Sequence, residues 1–371
     1  MIFSKSANTK ANLTILVAPL DWGLGHATRM IPVIEHLCSR NFTVIIAASG
    51  SSKTLLHQAF SEIKLIPIPE YKIAYSSSAT KTTVKLLLQI PKILYKVARE
   101  HFWLKRVVKK YGIDVVIADN RPGLFHKGIP TVYVTHQVNI QTFSKSGNII
   151  AKWLHQQFIK KFNHCWIPDG EGNQSLAGAL SHPPPITIPT FYLGCLSRFK
   201  QNLAPQKKYA LVILISGPEP QRSIFENIVL QQIEQIEGKV LLVRGLPNGG
   251  ALIQTSQYPS LTVHDHLASD DLQFAIQSAE WVLCRSGYTT IMDLVQLQQR
   301  AILVATPGQT EQVYLAQHLY EKKMFFSVEQ SKLQLKSTIE TAAKLNFKIP
   351  LFEMQSFKTA IDASLNELLH P

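Results

Sequence analysis

The stretch Trp281–Ala316, WVLCRSGYTTIMDLVQLQQRAILVATPGQTEQVYLA, decides the fold of this chain. An apolar run, Trp281 to Cys284, breaks at Arg285-Ser286-Gly287, and a short amphipathic segment follows from about Thr290. A second apolar run, Ala301 to Ala305, breaks at Thr306-Pro307-Gly308 before another helical segment begins. Apolar runs of strand length alternating with helix-period segments predict strand-helix-strand-helix. Such alternation implies a parallel sheet, whose ligands bind beyond the carboxyl ends of the strands. Ser286-Gly287 and Pro307 to Gln312 then face one cleft.

The residue types in those loops suit a nucleotide sugar. Asp293, in the first turn of its helix, has a carboxylate fit to accept from a ribose diol; Glu311 and Gln312 suit sugar hydroxyls. Unpaired N–H groups at helix starts favour phosphate. A plainer reading stands beside this one: Thr290 and Asp293 have the spacing of a helix capping box, which needs no ligand.

The stretch resembles the C-terminal donor-binding domain of the MurG-like GT-B glycosyltransferases (glycosyltransferase family 28). In that group a Ser-Gly pair, an acid on the following helix and an acidic-Gln pair after the next strand surround a UDP-sugar. Here these match Ser286 and Gly287, with Thr289 in the same turn, then Asp293, then Glu311 and Gln312. The helix acid is usually Glu in the group, so Asp293 is one methylene shorter.

A chain of 371 residues suits two domains, and 46% hydrophobic with 17% charged residues marks it as globular. Cys38, Cys165, Cys195 and Cys284 are isolated and without metal-ligand spacing, so reduced cytosolic thiols are expected. No stretch qualifies as a transmembrane helix, and no compact apolar region precedes the first strand as in a signal peptide. Cytoplasmic residence is the expectation.

The net charge of +13 is uneven: residues 1–200 carry 24 Lys and Arg against 9 Asp and Glu, and the remainder 14 against 16. Much of it lies in residues 81–110, where nine basic residues, Lys81 to Lys110, face only Glu100 and interleave with Leu94, Tyr95, Phe102, Trp103 and other apolar side chains. A basic amphipathic helix of this kind suits an anionic membrane surface. A solvated helix face remains the alternative, and no nucleic-acid motif accompanies the charge. The resemblance points to the membrane, since MurG-like enzymes dock their N-terminal domain there to reach a lipid-linked acceptor.

At the N-terminal end, a strand over Leu13 to Ala18 runs into Pro19-Leu20-Asp21-Trp22-Gly23-Leu24-Gly25-His26-Ala27-Thr28-Arg29 and then a helix. This is not the GxGxxG dinucleotide fingerprint, because Thr28 holds the third glycine position. The turn puts His26 and Arg29 at the mouth of the sheet. An imidazole there suits a general base near neutral pH, or equally a loop-stabilising role. The segment resembles the first glycine-rich loop of MurG-like enzymes, which implies that His26 is catalytic and that Gly23, Gly25 and Arg29 lie at the acceptor.

Further strands are expected over Phe42–Ala48, Lys64–Ile68, Ile113–Ala118 and Thr131–Thr135, the last two ending in Asp119-Asn120-Arg121 and His136-Gln137. Arg121 and His136 are candidates for an acceptor phosphate or hydroxyl, against plain interdomain packing. A linker is expected from about Pro183 to Gln206, after which Tyr209 to Ile215 opens a second alternating domain. Ser216 and Gly217 at its end resemble the family loop that approaches the diphosphate, and Ser223 and Glu226 have capping-box spacing. Arg244, ending the strand Lys239 to Arg244, suits phosphate or a surface acid. His264-Asp265-His266-Leu267 matches the family loop whose backbone reads the uracil edge, which places His266 and Leu267 at the donor. No metal ligand set is expected.

The expected architecture is α/β, with two Rossmann-like domains facing a central cleft (GT-B). The boundaries are 1–200 for the acceptor domain, 201–350 for the donor domain, and 351–371 for a helix packing back on the first. The expected activity is metal-independent, inverting sugar transfer from a UDP-sugar, with no cofactor and no nucleic-acid partner. A nucleotide-sugar hydrolase or epimerase, or a non-catalytic nucleotide- or lipid-binding protein, are the alternatives.

Overall fold

The computed structural model describes residues 13–71, 90–142, 145–201, 205–254 and 256–370. Lys81 and Lys85 of the basic segment lie outside them. The first half alternates β1 (Thr14–Pro19), α1 (Leu24–Ser39), β2 (Thr43–Ala47), α2 (Gly50–Ala59), β3 (Lys64–Ile66), α3 (Ile90–Tyr111), β4 (Val115–Asp119), β5 (Thr131–Val134), α4 (Lys145–Ile159), β6 (His164–Ile167) and β7 (Thr190–Tyr192). The second half continues with β8 (Tyr209–Leu214), α5 (Gln221–Leu230), β9 (Val240–Val243), β10 (Leu261–His264), α6 (Ser269–Gln277), β11 (Ala279–Cys284), α7 (Tyr288–Gln296), β12 (Ala301–Leu303), α8 (Thr310–Glu321), β13 (Phe326–Ser327), α9 (Leu335–Lys344) and α10 (Ser356–Leu369).

The strands form two parallel sheets, ordered β3-β2-β1-β4-β5-β6-β7 and β10-β9-β8-β11-β12-β13. Central strands are buried from end to end, as VVIAD of β4 shows, because helices cover both faces of each sheet. In each sheet the strand order reverses beside the first strand, between β1 and β4 and between β8 and β11. Crevices outside the carboxyl ends of the strands open at such reversals. The two reversals face each other, since α1 packs on α7 and the Thr289 hydroxyl donates to the Gly25 carbonyl at 3.0 Å.

One buried apolar cluster runs from β1 and α1 through Leu193 and Leu196 into β11 and α7, and takes in Phe357, Ile361 and Leu365 of α10. The last helix thus packs on the first sheet. Ser364 fixes it there, accepting from Trp166 Nε1 at 2.7 Å and meeting His164 Nδ1 at 2.8 Å.

Three local expectations are corrected. The linker contains a strand: β7 extends the first sheet by pairing with β6. Neither capping box forms. Gly287 is the N-cap of α7, so Thr290 is already inside the helix, and Asp293 accepts instead from the Ser197 hydroxyl at 2.6 Å. Ser223 is likewise inside α5; its backbone N–H donates to Glu219, ahead of the helix, while Glu226 pairs with Arg222 and Arg244.

Candidate active site

Gly23 caps α1 at φ 94°, a left-handed conformation that favours glycine, and turns the chain so that His26 and Arg29 sit beside the end of β4. Gly25 lies where the halves touch: an added Cβ would come within 3.2 Å of Thr289 Oγ1. Asp119, the last residue of β4 and fully buried, organises this end. It meets His26 Nδ1 at 2.9 Å and accepts from Arg29 Nε at 3.1 Å; Arg29 Nη2 donates to its other oxygen. Arg29 Nη1 donates to His136 Nδ1 at 3.0 Å, which leaves His136 Nε2 to donate to Glu311 Oε1 at 2.7 Å. A hydrogen-bonded chain therefore runs from His26 to the start of α8 on the opposite half. His136 also stacks on Tyr288, centroids 4.3 Å apart, and the Tyr288 hydroxyl donates to buried Asp169 at 2.8 Å.

The tautomer of His26 follows from its neighbours. Nδ1 lies 2.9 Å from both Asp119 and Arg29 Nη2, but Nη2 already donates to Asp119. The carboxylate is the stronger acceptor, so Nδ1–H donates to Asp119 and Nε2 keeps its lone pair. Nε2 has no partner among the described residues, and the side chain is 17% exposed. Burial, aided by Arg29, holds the His26 pKa below the ordinary imidazole value, so the ring is neutral at pH 7. Burial alone would raise Asp119, but Arg29 and His26 hold it below the usual carboxylate range. A neutral imidazole oriented by a permanent carboxylate has the chemistry that general-base work requires.

Across the cleft, Ser216 and Gly217 are exposed at the end of β8. Ser286 is buried and donates to the Gln312 carbonyl at 2.8 Å; Gln312 Oε1 accepts from the Thr306 N–H at 2.9 Å. Gly287 and Thr289 lie at the start of α7. His266, partly buried on the loop after β10, has its pKa lowered by burial and then by Arg198, and Leu267 packs against the core. Asp293 is buried behind this surface, accepting from the Ser197 hydroxyl and the Arg198 backbone, and burial raises its pKa to about 6. For Glu311 burial would raise the pKa, but His136 holds it low.

Four expected ligands are committed elsewhere: Arg29 and His136, buried with their nitrogens used in the chain from Asp119 to Glu311, and Arg121 and Arg244. Arg121 is fully buried and donates to the Pro19 carbonyl, Glu100 at 2.7 Å and Asp21 at 3.3 Å, so it ties α3 to the loop ahead of His26 rather than reaching an acceptor. Arg244 donates to Glu226 and Asp265, and so neutralises the acid that flanks His264 and His266. Two side chains escaped the sequence reading. Asp119 was visible only as a strand end, and Arg198 lay in the linker. Arg198 is 9% exposed, sits 4.0 Å from Asp293 Oδ2, and has no hydrogen-bond partner at its buried Nε. Among the described residues no three His, Cys, Asp or Glu gather as a metal-binding group.

Residues 221–368 match the glycosyltransferase family 28 C-terminal domain, and residues 14–186 match glycosyl transferase family 1. The chain is a glycosyltransferase of the GT-B fold, and it resembles the MurG-like group. Among its relatives is the UDP-N-acetylglucosamine–N-acetylmuramyl-(pentapeptide) pyrophosphoryl-undecaprenol N-acetylglucosamine transferase of Buchnera aphidicola, 25% identical over 87% of this chain and 86% of the relative. The enzyme of the same name from Histophilus somni is 24% identical over 79% and 80%. The fold is shared with Acinetobacter baumannii MurG, at TM-score 0.53, 13% identity and 97% and 100% coverage. It is also shared with the spinosyn rhamnosyltransferase SpnG, at 0.60, 15% and 96% of each chain. Both halves of the MurG-like transferase thus contribute loops to one cleft, and no described helix is long and apolar enough to cross a membrane.

Proposed function

We propose that this transferase moves a sugar, with N-acetylglucosamine as the leading case, from UDP to a hydroxyl of a lipid-linked acceptor in one inverting displacement. The carrying observation is the His26–Asp119 pair facing the Ser286-Gly287 and Glu311-Gln312 loops across the cleft. His26 Nε2 takes the acceptor hydroxyl proton as the oxygen attacks the anomeric carbon. The bond from that carbon to the diphosphate breaks, and UDP leaves with the electron pair. The start of α7 supplies N–H groups and a positive dipole end toward that anion. This reading needs no cofactor. Gly23 and Gly25 take the acceptor side, with buried Arg29 holding His26 and His136 behind them; Ser216, Gly217, His266, Leu267, Ser286, Gly287, Thr289 and Gln312 take the donor side, joined by Arg198 and Asp293. The two bacterial relatives, named for N-acetylglucosamine transfer to an undecaprenol-linked acceptor, support the choice of UDP-N-acetylglucosamine and of that acceptor class.

The acceptor is reached from the cytoplasmic face of a membrane through α3 and α4. On α3, Leu94, Tyr95 and Phe102 are exposed beside exposed Arg99, Lys105 and Arg106. Ile149 and Trp153 of α4 are exposed too, and the helices share a small apolar cluster through Ile93 and Phe158. Exposed aromatics flanked by basic side chains suit an anionic interface.

Thermal-shift titration against UDP, GDP, CMP, TDP and ADP tests the donor, with product analysis from UDP-sugars and undecaprenol-linked acceptors following. A UDP-selective shift and acceptor-dependent transfer support the reading. Absence of any nucleotide shift, or release of free sugar without acceptor, rejects it. Co-sedimentation with anionic vesicles tests the surface: the triple reversal R99E/K105E/R106E weakens binding roughly a hundredfold, at about 1 kcal/mol per basic residue. Unchanged sedimentation rejects docking through α3.

A further inference from the structure

Three buried arginines stand near the carboxyl ends of the second sheet, and two are neutralised. Arg222 pairs with Glu219 and Glu226, and Arg244 with Glu226 and Asp265. Arg285 is 1% exposed and has no carboxylate partner among the described residues. Its hydrogen-bond acceptors are neutral: the Val304 and Ala305 carbonyls for Nη1 at 3.4 and 3.2 Å, and the Gln221 carbonyl and Gln330 Oε1 for Nη2 at 3.1 and 2.6 Å. The guanidinium lies over the Phe225 ring at 4.0 Å, and Nε has no partner. Burial brings its pKa down to about 9, which leaves it charged at neutral pH.

A buried charge without a counterion is costly, and an anion bound beside it would relieve that cost. The contacts of Arg285 say where. The guanidinium joins the loop after β12 and the first residue of α5 to the end of β11, so it holds together the three loops that carry Ser216-Gly217, Ser286-Gly287 and Thr306. The Thr306 hydroxyl, 1% exposed, is also without a partner, and lies 3.9 Å from where a Cβ on Gly217 would be. Two donor groups without a hydrogen-bond partner, Arg285 Nε and the Thr306 hydroxyl, therefore border the turns that begin α5 and α7.

We propose that Arg285 is a positioning residue for the diphosphate of the bound nucleotide, supplying an uncompensated positive charge from behind the loops that it fixes, with Thr306 as a second donor to the same group. This rests on the nucleotide-sugar reading of the cleft. It separates the donor into two parts: the diphosphate depends on Arg285, and the nucleoside does not.

Calorimetric titration of UDP and uridine into wild type, Arg285→Gln, Arg285→Lys and Thr306→Val reads that separation directly. Expected is a loss of UDP affinity of about tenfold or more in R285Q, the scale of one charge-assisted hydrogen bond, with uridine affinity unchanged. R285K, which keeps the charge, retains most UDP affinity, and T306V loses UDP affinity severalfold without affecting uridine. Equal losses of UDP and uridine affinity in R285Q would mean that Arg285 only holds loops in place and would overturn the proposal, as would unchanged UDP affinity. Where R285Q does not fold, an R285K protein that loses UDP and uridine affinity together, or a T306V protein with full UDP affinity, overturns it. Wild-type protein that binds neither ligand is a different failure, that of the nucleotide reading itself.

Discussion

The two strand reversals that face each other across the cleft handle polar groups in opposite ways. At the first, Asp119, His26, Arg29 and His136 answer one another within 3.1 Å, and the chain ends on Glu311 of the other half. At the second, Arg198 and Arg285 are largely buried with Nε atoms that make no hydrogen bond, Arg198 lying 4.0 Å from Asp293, and the Thr306 hydroxyl makes none either. A group that must take a proton at a fixed point gains from being held before substrate arrives, because preorganised partners need no rearrangement during reaction. A surface that binds an anion gains from donors that the protein itself has not used. The first reversal has the properties of a chemical centre and the second those of a binding cradle.

Removing the proposed base gives the largest effect. His26→Ala lowers kcat by about 10² to 10⁴-fold, the usual contribution of a positioned general base, and leaves UDP affinity unchanged. Initial rates with a verified acceptor, beside calorimetric UDP titration, check this. Full turnover would take the chemistry away from the first reversal. The pH profile sharpens the point. The neutral ring is the active form and its pKa is held below the ordinary value, so kcat/KM stays level down to about pH 6.5 and falls only below it.

The next effect is on stability. Asp119→Asn leaves the Arg29 guanidinium, 2% exposed, without its carboxylate, and breaking a buried pair in this way costs on the order of 3–5 kcal/mol. Urea denaturation measures the loss. A loss below about 1 kcal/mol would mean that the network is as loosely held as an exposed pair and would erase the contrast between the two reversals.

How much of this was legible in the sequence follows from which relations are local. The apolar runs and glycine turns of residues 281–316 lie within one stretch, so the order of β11, α7, β12 and α8 could be read directly. β7 could not: it is three residues long, follows Pro189, and is only half-buried, so it has neither length nor alternation to mark it. His26 was recognisable from its turn, but its partner Asp119 is 93 residues away and becomes a neighbour only because β4 crosses back to lie beside β1. Arg121, two residues on, carried the same strand-end signal and points into the structure instead, toward Glu100. That acid was visible as the lone negative charge in a basic helix, and its burial is the fact that such a pattern conceals. Arg198 carried no local signal at all, since only the packing of the linker on α7 brings it to Asp293.

Asp293 is the smallest of the three tests and the one that touches both readings of the second reversal. Its carboxyl pKa is raised to about 6 by burial, from an ordinary value of 3.8. A folded-state pKa above the unfolded one means that the protonated form is favoured by folding. The contribution is fully present below pH 3.8 and is lost as pH rises through about 6. Asp293→Asn lacks this dependence. The variant therefore matches wild type in acid and becomes the more stable protein by up to about 3 kcal/mol at pH 8, a shift of roughly two units at 1.36 kcal/mol each. Melting both proteins from pH 4 to pH 8 shows the crossover. A variant that is less stable at pH 8 would mean that ionised Asp293 fully satisfies Arg198, and the second reversal would then be a closed network like the first. If the crossover appears and UDP binding also weakens in the variant, the strain has a use: the carboxylate is kept ionised at neutral pH, against its burial, for a ribose diol to share.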